Sequence, residues 1–200
     1  MINTYFPLKV HTHFSLGTGL SMPKHVAKRV NELGLAGAAM TDVDSLSGSI
    51  DFMSAMVNKD KKLNLKPIIG TELTVVKDHN EKTKNTSTVT LIAKDYIGWL
   101  QLVKAISLAN KHYYYDKPHI TLEEIAQCVS DNHVFCIGGW LGSDIGDTIF
   151  QNPKEIYLTA NYETAKAATN KDWFPAISNK IARYREIFGD NFYLGSQLVD

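Results

Sequence analysis

Two histidines one residue apart, His11 and His13, close a run of alternating character, PLKVHTHF from Pro7 to Phe14. In a strand, the period of two points both imidazoles to one face, a few ångström apart, where they can share a cation. Asp42 follows the short buried run LAGAAM, and Glu72 lies within KPIIGTELTVV, so both carboxylates fall towards strand ends. Imidazole and carboxylate together make a mixed nitrogen and oxygen set suited to zinc, manganese or iron. A metal so held could activate water for phosphoester hydrolysis. An H-x-H pair alone says little, because one solvent-facing and one hydrogen-bonded histidine satisfy the same spacing.

Other reactive residue types carry weaker signals. Cys128 and Cys136 are too few and too close for a disulfide framework, form no C-x-x-C pair, and read as buried thiols. His112-Tyr113-Tyr114-Tyr115, between Lys111 and Lys117, has the composition of a stacking platform for single-stranded bases; its place after a helix and before Pro118 also fits a packed connection. His25 on a helix and His79 in a polar excursion read as solvated, and nothing marks His119 or His133 as ligands. Trp99, Trp140 and Trp173 read as packing residues.

Strands alternating with helices must position these groups. After the first run, Gly17-Thr18-Gly19 breaks the chain, and a helix opens with Ser21 as N-cap and Pro23 in its first turn. Leu35 to Met40 reads as a strand, Ile50 to Val57 as a helix, and Lys66 to Val76 as a β-branched strand region. Lys77 to Ser87 reads as a surface hairpin loop, followed by a strand at Val89 to Ala93 and a helix at Gly98 to Asn110. Thr121-Leu122-Glu123-Glu124 is a capping box. His133 to Gly138 and Phe192 to Leu194 read as strands, with helices at 163–169 and 177–188. This order predicts a parallel α/β architecture, a barrel or a doubly wound sheet. Polar residues at strand ends, and no glycine-rich phosphate loop, favour the barrel.

The 200 residues carry 21 Lys+Arg and 21 Asp+Glu, a formal net charge of zero. Gripping nucleic acid or an anionic membrane takes clustered basic charge, so the balance argues against either as the main task here. No apolar run approaches the roughly 20 residues that cross a bilayer, and Met1 to Tyr5 has no secretory leader pattern. A cytoplasmic location without a membrane partner is expected.

Five stretches, KVHTHFSLGTGL, GLAGAAMTDVDSLSGSIDF, KPIIGTELTV, LIAKDYIGWLQLVKAIS and VFCIGGWLGSDIG, together resemble the N-terminal PHP (polymerase and histidinol phosphatase) domain of bacterial DNA polymerase III alpha subunits. The similarity runs from about Phe6 to the end. It implies a distorted seven-stranded, TIM-like (β/α) barrel with up to nine ligands holding three metal ions, at the front of a much longer polymerase. The chain is then expected to be one PHP-like domain over 1–200, short of a whole barrel at its C-terminal end.

Most of the ligands implied by the resemblance do not carry over. In the better register of the first motif, His11, Thr12, Ser15 and Gly19 match, while Lys9 takes the place of the first histidine and Thr18 that of the aspartate. The usual T-D-H reads Thr41-Asp42-Val43, and Glu72 matches the glutamate of P-I-I-G-x-E. Further ligand positions fall near Thr88, on Trp140 and on Gly195. An ammonium about 4 Å from a divalent cation repels it by about 8 kcal/mol at an effective dielectric near 20. Lys9 is therefore expected to replace the ion, pairing with Glu72 or Asp42; a solvent-facing lysine is the plain alternative.

Two functions follow as expectations. In the first, the domain is metal-free and non-catalytic, with Lys9, His11, Asp42 and Glu72 as a vestigial pocket. It serves as a structural and subunit-docking module whose partners are the remaining polymerase domains and an exonuclease or other replisome subunit. DNA is met through the parent protein, whose nucleotidyl transfer uses magnesium. In the second, a phosphoesterase or 3′-5′ proofreading exonuclease holds zinc or manganese on His11, His13, Asp42 and Glu72.

Overall fold

The computed structural model describes residues 5–58, 63–80, 86–114, 117–130, 132–140, 142–149 and 173–195. The expected helix at 163–169 lies outside the described residues.

The frame is a mixed α/β sheet, six-stranded among the described residues. After helix α1 (Pro23–Glu32) come strand β1 (Gly37–Val43), helix α2 (Ser49–Met56) and the small pair β2 (Val57–Asn58) and β3 (Leu63–Asn64). The chain continues through β4 (Lys66–Val76), β5 (Ser87–Ala93) and helix α3 (Tyr96–Ala109). The minor pair β6 (Tyr113–Tyr114) and β7 (Lys117–Pro118) precedes β8 (Ile120–Thr121), helix α4 (Leu122–Cys128) and β9 (Val134–Gly138). Helix α5 (Trp173–Phe188) and β10 (Phe192–Leu194) complete it. The sheet order is β1-β4-β5-β9-β10, with β8 beside the end of β4.

Two strand pairs depart from the all-parallel expectation. β4 and β1 are parallel, as are β10 and β9, but β5 runs antiparallel to both β4 and β9. The cause is the short connection of ten residues from β4 to β5, with no helix among its described residues: antiparallel neighbours need only a hairpin link, whereas parallel ones need a crossover.

Helices cover one face. Leu73, Val75, Val89 and Leu91 of β4 and β5 pack with Leu102 and Ala105 of α3, Ile125 of α4, and Tyr184 and Phe188 of α5. Val26 and Val30 of α1 and Phe52 and Met56 of α2 pack on Ala38 and Met40 of β1. By the period of two, Ile68, Gly70 and Glu72 of β4 look the other way. There Ile68, Ile92, Phe135, Ile137, Tyr193 and Leu194 line an open, mainly apolar cavity of about 1060 Å³.

The N-terminal run is extended only in part. Ala39 N donates to Pro7 O and Thr41 N to Val10 O, both at 2.9 Å, so residues 7–10 lie along the free edge of β1. Val10 N donates instead to the Thr41 hydroxyl, at 3.0 Å, and no regular ladder forms. Past Thr12 the chain turns, with Ser15 N bonded to Thr12 O and Gly19 N to Ser15 O, each at 2.9 Å. A Cβ at Gly19 would lie 1.9 Å from Thr12 O, so only glycine lets the loop close on itself. Helix α1 has Met22, not Ser21, as its N-cap, because the Ser21 carbonyl is bound by His13 N at 2.9 Å. The capping box at Thr121 is present as expected.

Candidate functional site

The turn after Thr12 decides the fate of the H-x-H pair. Thr12 is fully buried, His11 is half-buried and His13 is exposed, so the two imidazoles do not share a face. The buried threonine is held by Asp42, itself fully buried at the end of β1. Thr12 N donates to Asp42 Oδ1 at 2.5 Å, the Thr12 hydroxyl to Oδ2 at 2.6 Å, and the Ser15 hydroxyl to Oδ1 at 2.6 Å. The Ser15 oxygen in turn accepts Val43 N at 3.0 Å. Asp42 thus binds the loop to the sheet, with both oxygens engaged.

Glu72 gathers a different set. It lies on β4, with its side chain 7% exposed. Lys9 Nζ stands 3.1 Å and His11 Nε2 2.9 Å from Glu72 Oε2. Burial pushes the carboxyl up, but hydrogen bonds from His11 and Thr88 and the positive charges of Lys9 and His11 outweigh it and hold Glu72 below the ordinary glutamate range. The Lys9 ammonium also lies 4.0 Å from the centroid of the buried Trp140 ring. A Cβ at Gly195 would meet Trp140 Cε3 at 3.5 Å, so the indole also borders that position.

Of the positions that the resemblance assigns to lost ligands, Lys9 and Thr88 reach Glu72, Trp140 lies against Lys9 and Gly195 borders Trp140, whereas Thr18 is exposed in the 12–19 loop. The Lys9 ammonium is turned towards Glu72 and Trp140, although the side chain stays partly exposed. The donors left at this spot are Glu72 and His11, already bonded to each other and to an ammonium. That arrangement does not fit the multi-metal centre implied by the resemblance, since a zinc-type site takes three or four donors and no competing cation. Neither His13 nor Asp42 is placed to supply the missing donors.

Asp44 adds a second perturbed carboxyl beside Glu72. It has a left-handed backbone, φ 49°, and its side chain accepts Thr74 N at 2.7 Å and the Thr74 hydroxyl at 2.5 Å. Burial, joined by the negative charge of Glu72, pushes it up to about 6 against those bonds and the Lys117 charge.

Residues that looked unremarkable in sequence meet elsewhere. His79 Nε2 lies 2.8 Å from Glu124 Oε2, and His112 Nε2 3.6 Å from Glu124 Oε1. Among the described residues, these three side chains form the group of histidine, cysteine and acidic donors whose ligand atoms lie within 4.8 Å of one another. Their only sequence signal was Glu124 in the capping box. His133 Nδ1 pairs with Asp95 Oδ2 at 2.7 Å, and His25 is exposed as expected. Cys128 and Cys136 are free and buried. Tyr115 of the aromatic run lies outside the described residues, and its neighbour His112 faces Glu124.

The α/β sheet with its altered polar pocket is that of a PHP domain: the family profile of that name matches residues 7–197, and the chain belongs to this family. Its relatives include the DNA polymerase III subunit alpha of Helicobacter pylori, 33% identical over 94% of this chain and 14% of that protein. The same subunit of Thermus aquaticus is 29% identical over 95% of this chain and 14% of that protein. The chain therefore spans about one seventh of the length of these relatives. An amidohydrolase structure from Chromobacterium violaceum superposes on 96% of this chain and 86% of its own, at a TM-score of 0.43 and 12% identity. No described helix is long and apolar enough to cross a membrane.

Proposed function

We propose that this PHP domain holds no metal in its Glu72 pocket and is non-catalytic, a structural and docking module within a replicative polymerase of the DNA polymerase III alpha type. The observation that carries the reading is the Lys9–Glu72 pair under Trp140, with Nζ 3.1 Å from Oε2 and 4.0 Å from the ring centroid. An ammonium neutralises the buried carboxylate where a metal would otherwise do so, and the indole face adds a second attraction for it.

The open apolar cavity of about 1060 Å³ supports the docking role, because an exposed apolar surface of this kind favours a partner. The occupant proposed is the remainder of the polymerase, which in the relatives makes up most of the chain. An exonuclease or another replisome subunit is a further partner on this reading. DNA contact and magnesium-dependent nucleotidyl transfer belong to the parent protein, and the setting is cytoplasmic.

The test is metal-dependent hydrolysis of an aromatic phosphate ester and of single-stranded DNA by the purified chain, wild type and Glu72→Gln. The reading predicts no hydrolysis above buffer in either. Hydrolysis by the wild type that disappears in Glu72→Gln would overturn it in favour of the phosphoesterase or exonuclease reading.

A further inference from the structure

The cluster of His79, His112 and Glu124 lies outside the Glu72 pocket and is drawn from three separate parts of the chain. His79 follows β4, His112 follows α3, and Glu124 is the third residue of α4. Its carboxylate is fixed before any ligand arrives: Oε2 accepts Thr121 N at 2.9 Å and the Thr121 hydroxyl at 3.1 Å, as part of the capping box. The two imidazoles stack at 3.8 Å between centroids with an interplanar angle of 17°. His119, buried behind them, has its ring centroid 5.1 Å from that of His79 and 6.4 Å from that of His112.

We propose that His79, His112 and Glu124 form a binding site for one zinc-class divalent cation, a site separate from the Glu72 pocket. The donor chemistry is right: two imidazoles and one carboxylate are a set that zinc takes with a water in the fourth position. The spacing is close to right. Tetrahedral bonds of about 2.0–2.1 Å place neighbouring ligand atoms roughly 3.3 Å apart. The observed 2.8 Å and 3.6 Å contacts to Glu124 straddle that value, and the span across the group stays within 4.8 Å. Closing on a cation takes shifts of about an ångström, within reach of rotations of partly exposed rings, 24% and 37% for His79 and His112.

The cluster is also incompletely satisfied as it stands. Among the described residues His79 Nδ1 has no hydrogen-bond partner, so no bond at the far nitrogen fixes the rotation of the ring, while one carboxylate faces both rings and the Thr121 donors.

The test is titration of zinc chloride into chelator-stripped protein, read by competition with a chromophoric chelator and by the thermal midpoint. The site predicts one equivalent bound and a zinc-dependent rise in the midpoint. In His112→Ala the affinity falls at least tenfold and the rise disappears, while Glu72→Gln binds as the wild type does. His79→Gln gives the same loss as His112→Ala, so one poorly folding variant does not remove the test. No zinc-dependent shift in the wild type, undiminished binding in both histidine variants, or loss caused instead by Glu72→Gln would each overturn the proposal. The last outcome would also count against the metal-free reading of the Glu72 pocket, as would the second if Glu72→Gln then abolished the binding; the first leaves that reading intact.

Discussion

The ammonium of Lys9 sits over the indole of Trp140, 4.0 Å from the ring centroid, and reaches Glu72 Oε2 at 3.1 Å from the same position. One cation is thus shared between a π face and a buried carboxylate. Trp140 removes water from one side of the ammonium and Glu72 compensates its charge, so the two contacts reinforce each other.

Replacing Lys9 by Met keeps the length of the stem and removes the charge, leaving Glu72 with His11 and Thr88. The Lys9 side chain is 36% exposed, so water screens part of the pair. The expected loss is about 1–2 kcal/mol, between surface and buried pairs. Urea denaturation of K9M, E72Q and the double variant checks this. The double variant should cost less than the sum of the two, and strict additivity would show the pair to be energetically silent.

Asp42→Asn should be more damaging although it is nearly isosteric. Three donors converge on the carboxylate from Thr12 and Ser15, and an amide NH₂ would confront at least one of them in a fully buried site. A loss of about 2–4 kcal/mol is expected. Limited proteolysis should show the 12–19 loop opening first, and a variant as stable as the wild type would contradict the role given to Asp42.

Asp44 gives a pH signature. Its folded-state value of about 6 lies above the ordinary 3.8, so the folded state holds the extra proton between those values. Asp44 therefore contributes stability below about pH 4 that is lost as pH rises towards 6. Glu72, held low, acts in the opposite sense: its contribution is present above the ordinary 4.5 and lost as pH falls below it. In Asp44→Asn, which suits the left-handed backbone, unfolding free energy measured from pH 4 to 6.5 should lose a downward component of about 1–3 kcal/mol. An unchanged slope would contradict the assignment.

Much of the frame was legible in the sequence because it rests on local signals. The β-branched run of β4, the Thr121 capping box and the helices α2 and α3 lie close to where periodicity puts them. Lys9 facing Glu72 was legible too, but only through the motif register. The H-x-H pair misled because strand periodicity holds only while the ladder continues, and Asp42 bends the chain at Thr12. The antiparallel place of β5 depends on the short connection from β4, a tertiary outcome that alternation alone does not settle. His79, His112 and Glu124 meet through folding and share no motif, so no spacing rule could have joined them.

The most direct measurement of the central claim is zinc or manganese bound per chain after equilibrium dialysis in a His112→Ala background, which removes the cluster at Glu124 from the count. With Lys9 in the cation position beside Glu72, no stoichiometric metal should remain, and adding Glu72→Gln should change nothing. One equivalent of metal in the His112→Ala protein, lost when Glu72→Gln is added, would contradict the account.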